Sequence, residues 1–220
     1  MDCALVKGRY PVAGIAAHGA AQLHRTGREP AVDNGVSAGT GSTSTLGNLA
    51  LGLTLLAFGV GNTGVIDNVS AADAAALATW VGGVALFVVG LLEFRAGNGG
   101  SGTAFAGLGA FWFTWGTAVG GETSAEAAGL FMLLWALLAL TLTAAASGSG
   151  VLGQGVYGLL TLALLLGGIA AFAGNEGLAK AGGWVGAVAG LVAWYGATAA
   201  LAKWPTFTGR AAGRRVTATG

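Results

Sequence analysis

The side chains able to do chemistry within the apolar parts of this 220-residue sequence are neutral hydrogen-bonding groups: Asn48, Thr54, Thr103, Thr114, Thr117, Thr141, Thr143, Gln154, Tyr157, Thr161, Tyr195 and Thr198. Hydroxyls and amides of this kind can replace water around a small polar or weakly acidic solute without fixing a charge beside it. For any single threonine the commoner role is plainer, a bond from its hydroxyl to a backbone carbonyl one turn back. Reactive groups are missing from the same stretches. Both histidines, His18 and His24, and the lone cysteine, Cys3, lie near the N-terminus. A buried zinc site or a histidine-assisted serine nucleophile therefore has no raw material. Carboxylates and arginines, which proton pumps and voltage sensors place within the membrane, are absent there too. The pattern argues against an enzyme and calls for no metal or cofactor; what it suits is a conduit.

These polar groups sit in six apolar stretches, 45–66, 74–92, 103–119, 127–147, 151–173 and 181–201, and all 10 basic and 9 acidic residues fall outside them. Each is about as long as the ~20 residues a helix needs to cross a bilayer. Composition agrees, with 54% hydrophobic and 9% charged residues and a mean hydropathy of +0.71, against about 25% charged in soluble domains. Soluble helices need a polar face, and these have none. The expected fold is all-α: a polytopic membrane protein with six transmembrane helices over residues 45–201, an N-terminal tail of residues 1–44 and a basic C-terminal tail of residues 202–220.

Placement of charge predicts orientation. Lys7, Arg9, Arg25 and Arg28 in the first tail, Arg95 in the second loop and Lys203, Arg210, Arg214 and Arg215 in the last tail share one face, while the other holds only Lys180. This asymmetry puts both termini in the cytoplasm, and the expected location is the cell membrane. A net charge of +1 gives no reason to expect nucleic acid. The first tail makes a poor signal peptide, since His18 interrupts its short apolar run and Arg25 and Arg28 follow. Its Gly, Ser and Thr content reads as disorder, and part of it could be an over-called translation start.

Two patterns concern packing. Gly182, Gly186, Gly190, Ala193 and Ala197 form a small-residue stripe in the sixth stretch, and Gly47, Ala50, Thr54, Ala57, Gly61 and Gly64 form one in the first. Such stripes let membrane helices approach closely. Trp80, Trp184 and Trp204 stand near the stretch ends, as interfacial anchors do, whereas Trp112, Trp115, Trp135 and Trp194 lie deeper, where an indole packs a core or lines a conduit.

One segment is more specific. It contains Gly82-Gly83, then Gly90-Leu-Leu-Glu93, Gly97-Asn98, Thr103-Ala104-Phe105 and Gly109-Ala110-Phe111-Trp112, with Leu46-Gly47, Gly52, Gly174-Asn175 and Gly183-Trp184 in keeping elsewhere. Over about residues 45–210 the chain resembles the acetate uptake transporter family, the succinate-acetate permeases of bacteria and their fungal relatives. The resemblance implies a six-helix subunit in a homo-hexamer, each subunit conducting a small carboxylate such as acetate, with succinate a further candidate. It also implies a waist closed by residues of the first, third and fifth helices, which fall here on Leu51, Leu108 and Leu160, with Thr54 and Thr161 beside them. The first two are usually aromatic in the family. The family's Asn-Pro-Ala-Pro before Leu-Gly is replaced by Ser42-Thr43-Ser44-Thr45, Leu86 stands where Gln is usual, and Ala202-Lys203 replaces Asn-Glu.

The expected substrate pathway is thus Asn48, Leu51, Thr54, Thr103, Leu108, Trp112, Leu160 and Thr161, with Asn48, Thr54, Thr103 and Thr161 coordinating a carboxyl group on either side of the waist. A leucine waist favours the protonated acid, because stripping water from a carboxylate is costly and most of an acetate-like solute is ionised at neutral pH. Glu93 and Asn98 are assigned a structural or gating role. Glu93 has three options: an ion pair with Arg95, acceptance from donors of the Gly97-Asn98 loop, or pH sensing. Competing readings for the whole chain are a channel for urea, short amides or other neutral solutes, and an inactive membrane scaffold.

Overall fold

A computed structural model describes residues 42–118, 123–148 and 150–204. The expectation of a disordered tail over residues 1–44 therefore lies almost wholly outside the described residues, as does most of the basic tail 202–220. Among the described residues all regular structure is helical, in six long segments: α1 (Ser42–Thr63), α2 (Ala71–Arg95), α3 (Gly99–Ala118), α4 (Ala125–Ala145), α5 (Val151–Ala173) and α6 (Glu176–Ala202). A bilayer core offers backbone groups no partner, and a helix satisfies them internally.

Five of these segments are long and apolar enough to cross a membrane. The exception is α3, whose first turns carry Gly99, Gly100, Ser101, Gly102 and Thr103. It is also deeply enclosed, burying Phe105, Leu108, Phe111, Trp112 and Trp115. A helix wrapped by protein needs less apolar surface than one facing lipid. Outward faces elsewhere carry large apolar side chains, Leu53, Phe87, Leu134, Leu137, Val188 and Leu191 among them. Trp80, Trp184 and Trp204 are exposed, but only Trp204 stands at a segment end, since Trp80 and Trp184 lie more than two turns inside α2 and α6; Trp194, expected to be deeper, is 40% exposed.

Local chemistry sets the segment ends. Ser70 caps α2 by accepting from the Asp73 N–H while Asp73 accepts from the Ser70 N–H, a reciprocal capping box. Gly174 takes a left-handed conformation (φ 59°) that ends α5, and Asn175 accepts from the Leu178 N–H at 3.0 Å to start α6. The preceding Gly-Asn pair does related work. Gly97 turns the chain at φ 84°, the Asn98 N–H donates to the Glu93 carbonyl, and the Asn98 amide donates to the buried Glu93 carboxylate at 2.7 Å. Of the options for Glu93, the loop supplies this partner.

Packing runs α4 on α5, α5 on α6, α6 on α1 and α2 on α3. The α1–α6 crossing is close, because Gly52 and Gly59 of α1 face Gly183, Ala187 and Gly190 of α6 across a space with no room for a β-carbon, and Gly90 and Gly109 bring α2 and α3 together in the same way. The stripe expected on α1 points elsewhere, with Gly47 against Phe105, Thr54 against Gly82 and Gly61 against Ala74. Ala57 and Gly64 are exposed. The α6 stripe is buried throughout, and it is shared, Gly182 meeting α5 and Gly190 meeting α1. Within α2, Thr79–Ala85 is wound as a π-helix. Its Gly82 and Gly83 lie against α1 and α3.

Candidate permeation pathway

Where α1, α3, α4, α5 and α6 meet, small residues leave space. Gly167 of α5 and Gly182, Gly183 and Gly186 of α6 form one wall of a cavity of about 380 Å³. Its mouth lies at the turn Gly174–Glu176, beside Asn62 and Ala125, and its floor is Leu55, Phe58, Trp112 and Leu160. Polar side chains gather at the mouth, where the Asn62 amide donates to the Phe58 carbonyl at 2.8 Å and Asn175 is occupied in capping. Glu176 is the acid at the rim; the deeper walls carry no charged side chain among the described residues.

Aromatic rings hold the floor. Trp112 meets Phe58 at 5.1 Å and Phe111 at 4.8 Å, both edge to face, while Phe111 stacks on Phe131 of α4 at 5.5 Å. Pairs of this kind contribute roughly 0.5–1.5 kcal/mol each beyond area burial. They tie α3 to α1 on one side and to α4 on the other, so the floor is built by three helices before any solute arrives.

Leu51, Leu108 and Leu160 are 0%, 1% and 2% exposed. Only Leu160 borders the cavity. On α1 and α3 the cavity instead meets Leu55 and Trp112, each one turn nearer the mouth than Leu51 and Leu108. Thr161 is buried beside Leu160, donates to the Tyr157 carbonyl at 2.8 Å and lies 3.4 Å from the Thr143 hydroxyl of α4. Thr54 is buried against Gly82, and its hydroxyl has no partner. Asn48 is half-buried toward the start of α1. Thr103 is exposed and donates to the Gly99 carbonyl at 2.8 Å, bordering an outer groove with Phe94 and Trp135 rather than the cavity. Glu93 and Asn98 belong to the α2–α3 turn.

Sequence reasoning missed Leu55, Phe58, Met132 and Gly167, and it named Gly182 and Gly186 only as part of a small-residue stripe. Leu55 and Phe58 had a signal: they continue the face of Leu51 and Thr54 by helical spacing. The glycines had none, since nothing local separates a glycine that admits a neighbouring helix from one that leaves a void.

The buried nitrogens of Trp112 and Trp115 also lack acceptors. Together with Thr54 they make three orphaned donors on α1 and α3, and each such group costs about 1–3 kcal/mol. The π-wound stretch of α2 packs against Thr54 at the same place, and such irregular turns are frequent at functional sites. Among the described residues no group of three or more His, Cys, Asp or Glu side chains could hold a metal ion.

Comparison with known proteins bears on this arrangement. Residues 28–208 match the model of the GPR1/FUN34/yaaH family. The succinate-acetate/proton symporter SatP of Escherichia coli K12 is 31% identical over 155 residues, covering 66% of this chain and 80% of that protein. The ammonia transport outward protein 2 of Saccharomyces cerevisiae is 31% identical over 128 residues, covering 53% of this chain and 45% of that one. A solved structure of the bacterial acetate channel SatP superposes with a TM-score of 0.67 at 27% identity, covering 82% of this chain and 99% of its own.

Proposed function

The chain belongs to the GPR1/FUN34/yaaH family, and from that premise we propose that it carries acetate and similar small monocarboxylates, with succinate a further substrate, across the membrane. The observation that carries this reading is the cavity leading from the α5–α6 turn down to Leu160 and Trp112, in a chain similar to proteins named for succinate and acetate. The solute enters between α1, α5 and α6 and leaves past the waist of Leu51, Leu108 and Leu160. Thr54 and Thr161 flank that waist as polar contacts, and Asn48 stands toward its far side.

The lining favours the neutral acid. Glu176 at the rim repels an anion, and the apolar floor offers no cation to replace the water a carboxylate must shed, a loss on the order of several kcal/mol. The protonated form avoids that loss, so the proton crosses on the substrate and not on a protein relay. Of the larger frame, α3 is the sixth span, and its 20 residues are enough for the hydrocarbon thickness. Both termini are cytoplasmic, supported by the skew of basic residues, and six subunits form a ring in the cell membrane, a reading that rests on the family resemblance.

Reconstituted vesicles test the reading. Labelled acetate, succinate, urea and ammonia are offered side by side at two external pH values. Acetate enters fastest, and its rate rises as the outside becomes more acidic. Faster urea or ammonia would make this a channel for neutral solutes, acetate uptake that ignores the pH gradient would remove the proton-on-substrate mechanism, and no uptake at all would leave a scaffold.

A further inference from the structure

Trp112 is held on four counts that bear on what its nitrogen does. It borders the floor of the cavity; it is 1% exposed; its ring is clamped edge to face by Phe58 and Phe111; and its indole N–H is buried with no acceptor. An indole nitrogen can only donate. An orphaned donor that packing holds in place is pre-organised for an acceptor that arrives from outside. The other deep lining side chains, Leu55, Phe58, Met132, Leu160 and Leu164, offer no donor. Asn62, which gives one amide N–H to the Phe58 carbonyl, and Asn175, whose side-chain oxygen caps α6, stand at the mouth and not at the floor.

We infer that the Trp112 indole N–H is the hydrogen-bond donor that receives a carboxyl oxygen as the solute passes from the cavity into the waist, and so sets affinity for acids over solutes without such an acceptor. This rests on the transport reading above and deepens it. The nitrogen is buried in this state, so a local parting of the floor has to uncover it before a solute can take the bond. A solute that takes the bond stabilises the parted floor relative to the closed one, which links recognition to passage.

Two replacements remove the N–H while keeping an aromatic ring: Trp112→Phe, and benzothienylalanine at position 112, whose sulfur replaces the N–H with the bicyclic shape retained. In acetate uptake by vesicles, both raise KM by about 5–10-fold with Vmax within about twofold, as loss of one hydrogen bond to a charged or strongly polar group predicts. In 15N-indole-labelled wild-type protein, one indole resonance moves on titration with acetate, and that resonance is missing from Trp112→Phe. An unchanged KM in either replacement, a fall in Vmax at unchanged KM, or no moving resonance at saturating acetate overturns the inference; the last readout needs no variant. Wild-type vesicles that take up no acetate overturn the transport reading itself, whereas normal wild-type uptake with an unchanged KM in the replacements overturns only the role of Trp112.

Discussion

Leu160 stands where the cavity ends, with Trp112 and Leu55 beside it and Thr161 behind. In the proposed pathway its side chain is the part of the waist that a solute meets first. Truncation there should enlarge the opening without touching a polar contact, because the Thr161 hydroxyl is held by the Tyr157 carbonyl of its own helix. Leu160→Ala is expected to raise succinate uptake relative to acetate by about 10-fold, the scale on which a pocket discriminates a few methylenes, measured as the ratio of initial rates in vesicles. An unchanged ratio would place the size limit elsewhere, at Leu51 or Leu108. At this scale the sequence was partly legible. Family spacing pointed to Leu51, Leu108 and Leu160, all buried, but of these only Leu160 faces open space, and on α1 and α3 that surface is Leu55 and Trp112, one turn along. A motif reports which helix face is inward, whereas the depth at which a void begins depends on what the neighbouring helices leave unfilled.

Among the helices, the decisive contact is α1 on α6. Membrane helices gain little from excluding apolar surface and associate through close packing, so a side chain at the crossing acts directly on stability. A β-carbon on Gly59 would overlap the Ala187 backbone, whereas one on Gly196 meets nothing within 4 Å. Gly59→Leu should abolish the monodisperse peak in size-exclusion chromatography, since the obstructing atoms are main chain and cannot rotate aside. Gly196→Ala should be tolerated or raise the melting temperature by about 2–4 °C, from roughly 0.5–1 kcal/mol of helix preference. Equal behaviour of the two variants would mean that the crossing does not hold the fold. The Gly-Asn motifs work at the same scale. Gly97-Asn98 and Gly174-Asn175 each pair a left-handed glycine with an asparagine whose side chain closes the turn, one onto Glu93 and one onto Leu178.

For the whole molecule the question is orientation. In the proposed topology nine of the ten basic residues fall on the face that carries both tails, leaving Lys180 alone on the other. That proposed topology puts the cavity mouth, at Gly174–Glu176, on the outer side. Cys3, the lone thiol in the chain, reports this without mutation. A membrane-impermeant maleimide should leave it unlabelled in intact cells and label it after permeabilisation. Labelling in intact cells would reverse the orientation and turn the mouth toward the cytoplasm, making the same cavity an exit instead of an entrance.

Composition and charge placement, read from the sequence by itself, determined the class of this protein. Long uncharged stretches belong in a bilayer, and continuous apolar runs of about 20 residues cross it as helices. The motif from Gly82 to Trp112 carried the family, which its match over residues 28–208 upheld. Tertiary structure alone decided which glycines sit at helix crossings and where a cavity remains beside them. It showed that α1 meets α6 through Gly52 and Gly59 and not through the stripe that spacing suggested, and that Thr103 faces an outer groove. It also left Thr54, Trp112 and Trp115 without partners. The physical reason is common to all three. Periodicity along a helix is a local property of the chain, but emptiness and an unmet hydrogen bond are properties of the neighbours, and those exist only once the helices have packed.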